Sequence, residues 1–466
     1  MPAPASLWWS TLDRPLEARA TLRADLDADV AIVGGGFTGL WTARELLRRD
    51  PTLRVAVLER EVCGFGASGR NGGWASALYP VSDAVLRRHF GDESADHLRA
   101  TLQEAVRELG ESLHDDGIDA NYRRGGTVVG ARNVVQATRL KESVDEARAR
   151  GVTEGDLRWL NADEARERVA MSSLLGATYT PHCARVNPAR LVRGLSDVVE
   201  GLGAAIYENT SVTRILPATA RRRAMLVTPF AQVSADYVVR ATEGYTAALP
   251  GQRRTLVPLF SLMIATEPLA GSFFAGVGLG DYETFADDRH LIIYGQRTDD
   301  NRLAFGGRGA PYHFGSVVEP RFDANDRVFA LLEATLHELF PTLEARVTHR
   351  WGGALAMPRD LSPFVQVDHE SGLCAAGGYT GDGVVLSFVA AGALADLILY
   401  PGEETRRSRL PFVHHRGRRW EVEPLRWLGV SAGLAMASWA DRVETRKGRE
   451  SATSGQLDRL FDQFPP

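Results

Sequence analysis

The chain has 466 residues, of which 44% are hydrophobic and 24% charged, close to globular averages, so disordered and fibrous classes are excluded. At roughly 100–200 residues per domain there is room for two or three domains. A net charge of −5 argues against a general nucleic-acid binder and against attachment to anionic membranes by charge. In chain order, residues 1–28 read as an irregular lead-in punctuated by Pro2, Pro4 and Pro15. The run ADVAIV, residues 28–33, predicts a buried strand, and FTGLWTARELLRRD predicts a helix with Leu40, Ala43, Leu46 and Leu47 on one face. Asp50-Pro51 stops that helix, and LRVAVLE is the next strand. Residues 84–115, 136–150 and 189–202 have helical periodicity, while GGTVVGA, AAIYENTSVTRI and ADYVVRAT read as strands. Residues 255–315 are rich in strands, a helix capped by Asp323 or Asn325 follows, and residues 384–400 form a last apolar helix before the tail.

The strongest motif is G-x-G-x-x-G at Gly34, Gly36 and Gly39, set between a predicted strand and a predicted helix. An acidic residue, Glu59, ends the next strand 20 positions after Gly39. That context is the dinucleotide fingerprint: a tight turn, a close backbone approach to the pyrophosphate, and a carboxylate for the ribose hydroxyls. A second glycine-rich loop, Gly64–Gly73, follows almost at once and contains Ser68 and Asn71. Such a backbone can pass close to a flat ring and donate hydrogen bonds to it, which a nicotinamide dehydrogenase does not need at that place. A third loop, Gly377-Gly378-Tyr379-Thr380-Gly381-Asp382-Gly383, precedes the last apolar helix.

These loops resemble those of the FAD-dependent amine oxidoreductases of the D-amino-acid oxidase family, in its glycine/sarcosine oxidase and gamma-glutamylputrescine oxidase branch. The likeness also takes in Tyr294–Thr298, Arg302–Gly309, Trp351-Gly352-Gly353 and Ala241–Leu249, and runs over roughly residues 28–440. It implies an α/β fold: a Rossmann-like FAD-binding domain with an inserted α+β substrate domain built on a mostly antiparallel sheet. The expected division is residues 1–83, 187–254 and 350–402 for FAD, 84–186 and 255–349 for substrate, and 403–466 as a helical tail docked on its own core. It implies noncovalent FAD held by Gly34, Gly36, Phe37, Thr38, Gly39, Glu59, Arg60, Gly66, Ala67, Ser68, Arg70, Asn71, Gly72, Gly73, Val212, Thr242, Gly378, Tyr379, Gly381, Asp382, Gly383 and Val384. The last helix would aim its N-terminus at the reduced flavin.

The implied reaction is oxidation of the C–N bond of a small amine or amino acid, with O2 or another acceptor taking the electrons. Tyr294, Arg308 and Tyr379 are the expected pocket residues, with Arg297, Trp351 and His182 as further candidates. Relatives that use oxygen keep a lysine near the flavin, and the matching place here holds Ala304 in a chain whose only lysines are Lys141 and Lys447. The competing classes are an NAD-dependent dehydrogenase and an NAD(P)H-dependent flavoprotein monooxygenase. Cys63, Cys183 and Cys374 fit neither a disulfide framework nor a zinc pattern, so no metal and a reducing, cytoplasmic setting are expected. No stretch reaches the ~20 apolar residues that span a bilayer, and no basic-then-apolar leader opens the chain.

Overall fold

The structure is a computed structural model that describes residues 6–13, 15–307 and 312–447. The strand Val30–Val33 is buried along its whole length because both of its faces are covered. Val30 and Ile32 join an apolar cluster with Leu40, Trp41 and Leu46 of the following helix, while Ala31 and Val33 join another with Leu226 and Val233. Two-sided burial is what an unbroken apolar run requires. This strand sits within a six-stranded sheet ordered Phe364–Asp368, Leu373–Gly377, Tyr237–Arg240, Val30–Val33, Val55–Leu58, Ala205–Tyr207. All neighbours are parallel except the antiparallel edge Phe364–Asp368. Helices Phe37–Arg49, Asp83–Asp115, Pro188–Gly201 and Gly383–Leu399 bury one face, and a small sheet containing Ala224–Val227 and Gln232–Ala235 buries the other.

A second, eight-stranded sheet runs Val347–Met357, Val257–Thr266, Leu303–Gly307, Ile293–Arg297, Thr284–Asp287, Thr127–Ala131, Gly176–Thr180, Arg158–Asn161. It is antiparallel throughout except where Thr284–Asp287 meets Thr127–Ala131. One face carries Phe260, Leu262, Ile264, Phe285 and Phe305 under the helices Gly271–Val277 and Asp326–Leu339. The alternate residues Met263, Ala265, Ala304 and Tyr294, with Trp351, face the first sheet's loops instead. This is the α/β architecture with an inserted, mostly antiparallel sheet. The strand Val347–Met357 crosses position 349/350, where the sequence suggests a domain boundary.

The lead-in is more ordered than its composition suggests. Leu7–Ser10 forms one helical turn, with Ser6 capping the Trp9 N–H, because Leu7, Trp8 and Trp9 find a buried seat beside Val62 and Trp351. The run ENTSVTRI turns at Asn209, where φ is +52°, so it gives two short strands rather than one. Asn325 caps the helix Asp326–Leu339 through the Val328 N–H, whereas Asp323 is taken by Arg70. The tail helix Leu425–Lys447 docks on its own chain. Val430 and Leu434 pack with Trp420 against Val257 and Leu259, and Asp441 accepts the His290 N–H at 2.7 Å. Among the described residues, no helix is long and apolar enough to cross a membrane.

Glu208 ties this assembly together. It is fully buried, at 0% exposure, and accepts the backbone N–H groups of Cys63 and Arg19, each at 2.7 Å, and the Arg193 guanidinium at 2.9 Å. Burial alone would raise its carboxyl pKa. The two N–H groups and the Arg193 and Arg19 charges outweigh burial and hold it below the ordinary value. Its stabilisation is therefore present above the unfolded carboxylate pKa of ~4.3 and is lost as pH falls through the lower folded value. We expect Glu208→Gln to lower stability by about 3–5 kcal/mol near neutrality and to flatten the acid limb, read from thermal unfolding across pH.

Candidate cofactor and substrate site

The first glycine turn is imposed by backbone approach. Gly34 has φ +111°, and a Cβ there would lie 2.4 Å from the Ala241 carbonyl oxygen. A Cβ on Gly39 would lie 2.1 Å from the Gly34 oxygen. Gly36 is the N-cap of Phe37–Arg49 and offers no side chain to the helix, so the N–H groups after Phe37 are not capped from this position. Glu59 accepts the Gly35 N–H at 2.7 Å and the Glu61 N–H at 3.0 Å. Burial raises its carboxyl above the ordinary value, against the pull of those two N–H groups. Arg60, exposed, lies over the Tyr245 ring at 4.7 Å, and Val212 packs half-buried beside the small sheet.

The second loop bends through the 3-10 turn Ala67–Gly69. Ser68 Oγ accepts the Phe37 N–H at 2.9 Å, which joins this loop to the first helix. Asn71 braces the loop from inside: its Oδ1 accepts the Gly73 N–H and its Nδ2 donates to the Ala67 and Ser68 carbonyls. Arg70 is placed differently from a simple cofactor ligand. Its guanidinium reaches Asp323 at 2.6 Å, the Gly352 carbonyl at 3.0 Å, the Tyr245 hydroxyl at 2.9 Å and the Gly66 carbonyl at 3.4 Å. The Trp8 and Trp351 indoles donate to the Asn71 and Arg70 carbonyls, and Gln296 Nε2 donates to the Gly72 carbonyl.

The third loop leaves the strand Leu373–Gly377 with Gly378 at φ +80° and Gly381 at φ +115°. Asp382 is the N-cap of the helix Gly383–Leu399 but does not cap it through its side chain, and Val384 is buried. Tyr379 is buried with its hydroxyl 3.0 Å from Thr38 Oγ1, so it braces the first helix rather than standing on the sheet face with Tyr294. Thr242 pairs its hydroxyl with Thr246 at 2.8 Å. Glu243 is the residue that sequence reading missed. It adopts φ +39°, its Oε1 accepts the Gly378 N–H at 2.9 Å, and its buried Oε2 has no partner. Burial drives its pKa up to about 7, opposed by the Tyr379 and Gly378 N–H groups and by half-buried Arg240. An acid within the turn ATEGYT is the only signal the sequence offers.

On the facing sheet, Tyr294 stacks where a Cβ on Gly72 or Gly306 would lie 2.6 Å from its ring, and its hydroxyl is 2.7 Å from Ser261 Oγ. Trp74 meets that ring edge-on at 6.2 Å. Arg297 turns away, to Asn301 and the rings of Phe274 and Tyr282, and His182 pairs with Asp156. Arg308 lies outside the described residues. All three cysteines are buried, and burial pushes Cys183 up to about 11 and Cys374 up to about 12. Among the described residues, no group of three or more His, Cys, Asp or Glu is arranged to hold a metal.

Two helix starts whose N-cap residues give no side-chain cap, a turn that excludes any Cβ at Gly34 and Gly39, and the Glu59 carboxylate at the end of the next strand fit FAD. Fold and site thus define a dinucleotide-binding flavoprotein oxidoreductase. Residues 29–397 match the model of the DAO family, FAD dependent oxidoreductase, and the chain belongs to that family. It is 30% identical to gamma-glutamylputrescine oxidoreductase of Escherichia coli K12 over 91% of this chain and 95% of the relative. It is 30% identical to glycine oxidase of Geobacillus kaustophilus over 84% of this chain and 98% of the relative. The crystal structure of glycine oxidase from Geobacillus kaustophilus superposes with a TM-score of 0.70 at 24% identity, covering 84% of this chain and 100% of that one. The family sets aside an NAD-dependent dehydrogenase.

Because the folded pKa of Glu243 is raised above its unfolded value, its contribution to stability is fully present below ~4.3 and is lost as pH rises through about 7. We expect Glu243→Gln to remove that slope between about pH 5 and 8, seen as a flatter melting-temperature profile. A steeper profile would refute the assignment.

Proposed function

We propose that the chain catalyses FAD-dependent oxidation of the C–N bond of a small amine or amino acid, giving an imine that hydrolyses in water. The observation that carries this reading is the seating of Tyr294 against Gly72, which brings an aromatic sheet face directly onto the second cofactor loop. FAD, when bound, supplies the hydride acceptor. The protein's share is orientation and exclusion of water: Tyr294, Trp74 and Trp351 wall the space, and the loops fix its floor. The named activities of the two relatives, on gamma-glutamylputrescine and on glycine, support an amine. The six-stranded sheet with its helices serves as the cofactor domain in this reading, and the eight-stranded sheet, through Met357, as the substrate domain.

The electrons pass to an acceptor other than dioxygen. Ala304 is 0% exposed in a cluster with Met263, Ala265, Trp8 and Trp351, so the place where oxygen-using relatives keep a cation is apolar here. Anaerobic addition of amino acids, N-methyl amino acids and polyamine conjugates is expected to bleach the flavin band near ~450 nm with at least one of them. Reoxidation of the reduced enzyme by air is expected to be no faster than that of free reduced FAD, while an artificial dye acceptor restores turnover. Rapid peroxide release under air would overturn the acceptor assignment, and a flavin bleached by NADPH but by no amine would overturn the reaction.

A further inference from the structure

Five of the fourteen large apolar side chains left exposed among the described residues lie within residues 422–439: Val422, Leu425, Trp427, Leu428 and Trp439. Leu425 is 60%, Leu428 51% and Trp439 57% exposed. Apolar surface gathered in this way, rather than scattered singly, marks a place of association.

The helix Leu425–Lys447 carries apolar residues on two opposite faces. One face is its seat. Val430 and Leu434 turn to Val257, Leu259 and Trp420, and Arg426 and Glu444, both almost fully buried, lie on the same side. Half a turn round the helix run Leu425, Leu428, Ala432, Ala435 and Trp439, all exposed, at alternating intervals of 3 and 4 residues. The alternation continues through exposed Arg442 and Arg446. That spacing keeps one straight seam along a helix, the pattern of a helix that packs against another helix.

We propose that this seam pairs with the same seam of a second copy of the chain, the two helices running antiparallel. The register follows from side-chain size. With Leu428 set against Trp439 of the second copy, Ala432 falls against Ala435, and the two-fold axis repeats both contacts. Large then meets large towards each end, and small meets small at the centre, where the alanines let the backbones approach. Leu425 lies along the aliphatic stem of Arg442. Arg446 comes level with Glu421 of the second copy, a carboxylate that is part-exposed beside Arg359. A stable interface covers ~800 Å² a side, more than one helix seam provides. Phe314 and Val422, exposed beside Glu423, extend the seam at its ends. A lipid surface is the poorer fit, because residues 427–441 carry no lysine or arginine to meet headgroups along the helix. The pairing is independent of the reaction assigned to the cofactor site.

The test is sedimentation equilibrium of the full-length, FAD-loaded protein at micromolar concentration, where a dimer is expected. Leu428→Glu and Trp439→Glu are each expected to raise its dissociation constant by about ten-fold or more, with FAD content and circular dichroism unchanged. The register is read by cross-linking. The chain's own cysteines are buried. Leu428→Cys protein, mixed with Trp439→Cys protein and mildly oxidised, is therefore expected to give a disulfide-linked dimer that neither variant gives alone. A wild-type monomer, a dimer unaffected by both glutamate variants, or cross-linking of either cysteine variant with itself would overturn the proposal. So would a monomer that binds vesicles of phosphatidylcholine and phosphatidylglycerol with a blue shift of its tryptophan emission, which would assign the seam to lipid.

Discussion

One buried guanidinium holds the two sheets in register. Arg70 leaves the second cofactor loop and reaches Asp323 and Gly352, on the eight-stranded side, and Tyr245, beside the six-stranded side. A charge taken out of water at 6% exposure must be paired and fully hydrogen-bonded, and the planar fork meets four acceptors at once. A lysine, with its point charge, would satisfy fewer of them. Trp351 then donates to the Arg70 carbonyl, so both the backbone and the side chain of this residue are tied to the facing sheet. The second loop and the facing sheet are thus joined through this one residue.

Around that anchor the cofactor site is made largely of backbone and of excluded volume. In the proposed cofactor site Gly34, Gly36 and Gly39 would contribute the absence of side chains, and the helix start beyond Phe37 would contribute N–H groups and dipole. The side chains that matter, Ser68, Asn71 and Glu243, act on loops rather than outward: each fixes a neighbouring N–H. Such preorganisation suits chemistry in which orientation carries most of the rate.

What the sequence disclosed and what it concealed divide by distance along the chain. The glycine turn was legible because Gly39 is constrained by Gly34, five residues away, and the helices and strands around it follow from local period. The anchor was not legible, since Arg70 and Asp323 are separated by 253 positions. That pairing also decides a local question: Asp323 and Asn325 are equal candidates for the helix cap, and Arg70 removes one of them. Tyr379 stood in the right loop, but only the fold shows its hydroxyl against Thr38.

The short turn of Leu7–Ser10 has a consequence for how the protein is made. Trp8 meets Asn71 in the second loop and Trp351 on the far sheet, while the flanking Ser6 and Thr11 bond to Gly69 and Asn187. On the ribosome this turn is made hundreds of residues before Trp351 exists, so it settles late in folding. Until then Trp8 and Trp9, both almost fully buried at the end, are exposed aromatic surface on a nascent chain.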